Sequence, residues 1–352
     1  MKILYLTNEL NYADGVASHL FYLINNFDAD MKSGIHLMAG GGSAIEKFNK
    51  LGVEVLTDKN VLHSKRDIKS FASAVFSIHK FIKANDINLV HSHNHYAAAI
   101  AEKAVKLTGA KTIQTVHGLF PEQGRLKHFN SGHYIAVNDH VSDHLLNKKI
   151  PDTQITLIYN GVDFGKQKRN KNIDNIRVIS ASRLEKGKGI EIFLKAVAKI
   201  PDTKRSNIEF LIAGSGSLEP ELTRLNEKLK TRVIFIGNSI NLREDFEKTH
   251  IFVLTSESEG LPITLLEAAS EYNLIVSSDF NGIKNILTDK KEGLIFKMND
   301  ADDLASKLSF AFDNIQLLIE YTEAFHKKAS VKFNAVVMAE SHQKLYKNIL
   351  DD

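Results

Sequence analysis

Two glutamates, Glu259 and Glu267, stand with seven residues between them in the stretch Ser256-Glu257-Ser258-Glu259-Gly260-Leu261-Pro262-Ile263-Thr264-Leu265-Leu266-Glu267-Ala268. The apolar run ahead of them, His250-Ile251-Phe252-Val253-Leu254, reads as a buried parallel strand. Gly260 permits a sharp turn, and Pro262 suits the first helical position, where a missing N–H costs nothing. A helix opening there offers unpaired backbone N–H groups and a positive dipole end to an anion or a hydroxylated ligand. Glu259 falls on the turn, while Glu267 leans back toward the same mouth from the second helical turn. Paired carboxylates repel a bare phosphate, so their natural partners are sugar hydroxyls, with cations elsewhere taking the phosphates. The plainer alternative is a solvated helix start.

Such cations occur in Ser180-Ala181-Ser182-Arg183-Leu184-Glu185-Lys186-Gly187-Lys188-Gly189, where Arg183 and Lys188 converge on a strand-to-helix turn. A nucleoside diphosphate gains negative charge as its glycosidic bond breaks, and two fixed cations stabilise it without a metal. A solvated charge run is the alternative. His117, in Thr115-Val116-His117-Gly118-Leu119, ends another strand. A neutral imidazole on a sugar hydroxyl suits an oxocarbenium-like centre, though a satisfied core histidine has the same signature. In His91-Ser92-His93-Asn94-His95, alternation puts three imidazoles on one face at a spacing compatible with zinc. No fourth ligand is identifiable and His91-Ser92-His93 resembles a strand end of the family named below, so no metal is expected; a polar wall of an acceptor cleft is preferred, with plain sheet-end histidines as the alternative. Asp28-Ala29-Asp30 and Asp300-Ala301-Asp302 are read as surface acids.

The Glu-x7-Glu spacing after a Glu-Gly-Leu-Pro turn, with Arg183-Leu184 and Lys188-Gly189 as an R-L-x-x-x-K-G element, resembles the retaining, nucleotide-sugar-dependent glycosyltransferases of family 4, also called group 1. That resemblance covers nearly the whole chain and implies the GT-B fold: α/β, with two Rossmann-like doubly wound parallel-sheet domains facing each other across a cleft. It implies that Arg183 and Lys188 hold the diphosphate, Glu267 the ribose diol and Glu259 the sugar hydroxyls. His117 would touch the transferred sugar. The loop Asn8–His19 would lie over the donor phosphates at Gly15, although Asp14 stands where the family commonly has another glycine. Gly214 and Gly216, in a strand-to-helix turn whose third dinucleotide-motif glycine is replaced by Glu219, would sit beside the donor. Gly237 and Asn238 would hold the nucleobase, and Gly260 and Leu261 complete the donor contacts. At Lys284-Asn285 the family's Pro-Glu pair is absent. Attack on the face of the departing group is implied, with a phosphate oxygen taking the acceptor proton, and no cofactor or metal.

The donor expected first is a UDP-sugar, and the acceptor a glycan, lipid-linked or other hydroxyl in bacterial cell-surface polysaccharide or glycoconjugate biosynthesis. Two alternatives remain at this point: a GT-B nucleotide-sugar epimerase, and a non-catalytic nucleotide-sugar-binding module.

With 352 residues and 43% hydrophobic content, the chain can bury two cores. A formal charge of +3 gives no argument for nucleic acid, and the absence of cysteine excludes disulfides and cysteine-based metal sites. The start, Met1–Thr7, reads as a strand without signal-peptide layout, and no apolar run approaches the roughly 20 residues of a spanning helix. The expectation is a cytoplasmic protein, peripheral on the inner membrane surface if its acceptor is lipid-linked. The segment Arg66–Asn85, with Lys69, Lys80 and Lys83 beside Phe71, Phe76 and Ile82, would supply that contact or simply pack on one side.

Strand-like runs alternate with helical periodicity in both halves, six in each, which implies βαβ units. The domains are expected at 1–163 plus 333–352 and at 164–332. A hinge is expected around Asn160-Gly161-Val162-Asp163 and the basic segment 165–175. A closing amphipathic helix, Val331–Leu350, would use Phe333, Val337, Leu345, Tyr346 and Ile349 as its apolar face and, by resemblance, cross back to the first domain.

Overall fold

The computed structural model describes residues 1–12, 14–62, 64–119, 131–165, 175–239 and 241–351. Most of the basic hinge segment and Ala13 of the first loop lie outside them. The chain forms two compact units, Met1–Gly161 with Ala335–Asp352, and Val162–Asn334.

The first unit is built on strands β1 (Ile3–Thr7), β2 (Ile35–Ala39), β3 (Val55–Thr57), β4 (Leu89–Ser92), β5 (Lys111–Val116), β6 (His133–Ala136) and β7 (Ile155–Leu157). They make one parallel sheet in the order β3-β2-β1-β4-β5-β6-β7. β1 is buried along its whole length, as a strand covered by helices on both faces must be. Ala74, Ile78 and Ile82 of the helix Ile68–Ala84 pack with Leu4, Leu6 and Val90 of the sheet. The edge strand β7 was not expected, because three residues beyond Pro151 are too short for a period to show.

The closing helix differs from its expected form. One helix, Ile315–Lys332, ends at Phe333, and a new one, Ala335–Asp351, packs in the first unit. Restarting at Ala335 resets the helical phase, so Ala335, Met338, Ala339, His342, Leu345 and Tyr346 form the buried stripe at i, i+3, i+4 and i+7 spacing. Val337 is thereby turned outward, and the buried Phe333 precedes the helix.

In the second unit, β8 (Ile176–Ala181), β9 (Ile208–Ala213), β10 (Ile234–Gly237), β11 (Ile251–Leu254), β12 (Leu274–Ser278) and β13 (Leu294–Phe296) pair in parallel. Their order is β10-β9-β8-β11-β12-β13, with a core that includes Phe193, Phe210, Ile212, Val253 and Leu304. Both halves are therefore doubly wound, as expected. Strand order reverses between β1 and β4 in one sheet and between β8 and β11 in the other, and the carboxyl ends of strands at such a reversal are where open α/β sheets take ligands.

Candidate active site

At the reversal of the second sheet, the loop after β8 (182–189) meets the loop after β11 (255–262). The Thr255 hydroxyl donates to the Lys188 carbonyl at 2.7 Å, and the Glu257 N–H donates to the Gly187 carbonyl at 2.9 Å. Gly189 has φ +65°, and a Cβ there would lie 2.3 Å from the Thr255 carbonyl oxygen, so this close approach requires glycine. On that scaffold the Lys188 ammonium donates to Glu259 Oε1 at 2.6 Å, with side chains 19% and 16% exposed. A charged hydrogen bond this short is among the stronger kinds, and partial burial spares it much of the solvent screening. Arg183 lies on the same loop with its side chain exposed.

The glycines after β9 have a packing role. A Cβ on Gly214 (φ +127°) would come 1.9 Å from the Ser182 carbonyl oxygen, and one on Gly216 2.4 Å from that of Leu184. The Leu184 N–H donates to the Ser215 carbonyl at 2.9 Å, and Glu185 accepts from the Ser217 N–H and hydroxyl at 2.8 and 2.6 Å. Those hydrogen bonds hold the Glu185 carboxyl below its usual range, with Arg183 assisting. Gly237 adopts φ +67° at the end of β10, its carbonyl accepts from the Gly214 N–H at 2.7 Å, and Asn238 beside it is exposed.

The helix of the second glutamate spans Ile263–Ser270. Pro262 is its N-cap in extended conformation, one step earlier than expected, because the turn at Gly260 is followed by one more non-helical residue. Glu267 is buried, and the Leu261 side chain is packed in the interior, so Leu261 can offer a ligand only its backbone.

In the first unit Asp14 accepts from the Val16 N–H at 3.0 Å and caps the helix Gly15–Asn25, which gives a physical reason for an aspartate at the position where a glycine is common. Gly15 has nothing within 4 Å of a would-be Cβ and faces open space. Asp28 and Asp300 are likewise helix N-caps. Asn94, after β4, joins the reversal by accepting from the Thr7 hydroxyl and the Asn8 N–H at 2.7 and 2.9 Å.

The expected one-faced trio of His91, His93 and His95 does not form. Alternation stops after β4, and His95 opens the helix His95–Ala104, where its Nδ1 pairs with Gln114 at 2.9 Å. Instead His93 Nδ1 meets His117 Nε2 at 3.1 Å, and His19 packs edge-on to His117 with ring centroids 4.8 Å apart. Each of His19, His93 and His117 offers a ring nitrogen within 4.8 Å of the others. His91 is tied to the Tyr346 hydroxyl and to Thr115 Oγ1 at 2.7 and 2.8 Å, and Tyr346 in turn to Tyr5 at 2.8 Å. His19 Nδ1–H donates to Asn160 at 2.9 Å, and His342 Nδ1–H to the Met338 carbonyl at 2.8 Å.

Burial sets the charge of this group. Desolvation holds His19, His91 and His93 well below the ordinary histidine range, with neighbouring imidazoles adding to the effect, and lowers His117 to about 3 and His342 to about 4. All five are neutral at physiological pH. Sequence reasoning missed His19, His342 and Tyr346, and the faint signal for the last two was their i, i+4 spacing on one helix face.

Family profiles match most of the chain: "Glycosyltransferase Family 4" over residues 13–166 and "Glycosyl transferases group 1" over residues 162–330. A similar protein is the GalNAc-alpha-(1->4)-GalNAc-alpha-(1->3)-diNAcBac-PP-undecaprenol alpha-1,4-N-acetyl-D-galactosaminyltransferase of Campylobacter jejuni, 35% identical over 138 residues. That match takes in 39% of this chain and 38% of the relative, about two fifths of its length. The Escherichia coli UDP-Gal:alpha-D-GlcNAc-diphosphoundecaprenol alpha-1,3-galactosyltransferase is 23% identical over 316 residues, covering 80% of this chain and 79% of its own. Among solved structures, Anabaena Alr3699/HepE in complex with UDP and glucose superposes with a TM-score of 0.84 over 99% of each chain at 16% identity, a likeness of fold alone.

Proposed function

Since the chain belongs to the group 1, family 4 glycosyltransferases and has that family's GT-B architecture, we propose that it is a retaining, metal-independent transferase. Its donor is a nucleotide-diphosphate sugar, a UDP-sugar first, and its acceptor the hydroxyl of a lipid-linked glycan in surface polysaccharide or glycoconjugate synthesis. The observation that carries this reading is the Lys188–Glu259 contact, a cation of the type that binds phosphate beside a carboxylate of the type that accepts from hydroxyls, at the reversal of the second sheet. The named acceptors of the Campylobacter and E. coli relatives, sugars on undecaprenyl diphosphate, support the acceptor class.

In the proposed reaction, Lys188 and Arg183 take up the charge that develops on the diphosphate as the anomeric carbon–oxygen bond breaks. The acceptor oxygen bonds to that carbon on the face the diphosphate leaves, and the acceptor proton passes to a phosphate oxygen. Glu259 accepts from hydroxyls of the transferred sugar and Glu267 from the ribose. His117, neutral, meets the sugar as a hydrogen-bonding imidazole.

Among the described residues no helix is long and apolar enough to cross a membrane. The helix Ile68–Ala84 turns Phe76 (65% exposed) outward with Lys69 and Lys80, and Ile68 at its start is 90% exposed. An apolar and basic outer face of this kind supports contact with an anionic lipid surface.

Thermal shift with UDP, GDP, dTDP and ADP identifies the base, since a ligand at ~100 times its Kd adds about 2.7 kcal/mol. Transfer from the matching nucleotide sugar to a synthetic polyprenyl-diphosphate sugar, with the anomeric configuration read by NMR, is the test. An inverted linkage would refute retention, and an isomerised donor without acceptor would favour the epimerase.

A further inference from the structure

The Lys188–Glu259 pair has a consequence for which ligands the site keeps. The ammonium donates to Glu259 at 2.6 Å, and the loops carrying the two residues are pinned together by the Thr255–Lys188 and Glu257–Gly187 hydrogen bonds. The contact sits on that scaffold. The ammonium has three N–H donors, so a diphosphate that binds Lys188 shares it with Glu259 or draws it away, and in either case sets a new anion beside a mostly buried carboxylate. A carboxylate so placed is costly unless new donors reach it. An intact nucleotide sugar brings those donors as sugar hydroxyls, whereas a nucleoside diphosphate has only its ribose hydroxyls, which are assigned to Glu267.

We propose that Glu259 is a specificity determinant that favours the sugar-bearing donor over the sugar-free nucleoside diphosphate, by reclaiming Lys188 whenever no sugar hydroxyl engages it. After transfer, the carboxylate loses its sugar partner and competes with the product diphosphate for the ammonium, which speeds product release. This inference rests on the reading of Lys188 as a phosphate ligand.

The test is calorimetric titration of the full chain with UDP and with UDP-N-acetylglucosamine, UDP-galactose and UDP-glucose. It uses wild type, Glu259→Gln, Lys188→Met and the double variant, with thermal midpoints to verify folding. Glu259→Gln is expected to bind UDP about fivefold tighter, the worth of a partly exposed ion pair, and the best UDP-sugar more weakly than wild type does. The gain for UDP must vanish in the Lys188→Met background, because a general electrostatic effect of removing one negative charge would persist there. UDP affinity unchanged or weakened in Glu259→Gln, or a gain that survives Lys188→Met, overturns the inference. If Lys188→Met binds UDP as wild type does, the phosphate role of Lys188 fails as well, so the two failures are told apart.

Discussion

His93 Nδ1 and His117 Nε2 face each other at 3.1 Å, so a buried imidazole just after one strand fixes the ring of the histidine just after the next. Both rings are neutral, so one nitrogen donates and the other accepts, and the tautomer of each is set by the other. Replacing His93 with leucine removes that constraint. Turnover is expected to fall about tenfold with donor KM little changed, as for loss of one positioning hydrogen bond. His93→Asn, whose amide reaches the position of Nδ1, should restore most of it. Equal loss in both variants would mean that His93 only fills space.

Acid should unfold the first unit through the same histidines. Their folded pKa values lie below the unfolded value near 6.5, so the unfolded chain binds more protons, and stability is complete above pH 6.5 and lost as pH falls toward 4. His342 alone, lowered to about 4, accounts for on the order of 3 kcal/mol by pH 4. Urea midpoints measured from pH 7.5 to 4.5 check this, and His342→Gln should flatten the slope. A midpoint independent of pH in that range would contradict burial of the neutral rings.

Lys188→Ala should lower turnover by about 10²–10³, the scale of a removed oxyanion donor, with the fold intact. Single-turnover transfer rates decide it, and a wild-type rate would end the assignment.

Two glycines should respond in opposite ways. Gly189→Ala forces a side chain into left-handed backbone and against Thr255, costing about 2 kcal/mol or more, read as a lower urea midpoint of the second unit. Gly15→Ala meets no neighbour and should leave stability within about 0.5 kcal/mol, while weakening donor affinity if the loop lies over phosphates. Isothermal titration beside the denaturation curve separates the two effects.

Phe76→Ser with Lys80→Glu should abolish flotation with vesicles containing anionic lipid and leave the unit folded, since both side chains point outward. Undiminished flotation would place lipid contact elsewhere.

Much of this was legible in the chain's own order. Apolar runs and turn residues are local signals, so the alternation of strands and helices, both parallel sheets and the chemical types at Arg183, Lys188, Glu259 and Glu267 could be read directly. Sheet order and helix phase leave no such trace. Only the folded chain brings His19, His93, His117 and His342 together from four separate elements, because it is the reversal beside β1 and the restart at Ala335 that aim them inward. Only folding pairs Lys188 with Glu259, and only folding shows that Gly189, Gly214 and Gly216 answer to neighbouring backbone, because steric contact between distant segments is fixed by three-dimensional packing and not by spacing along the sequence.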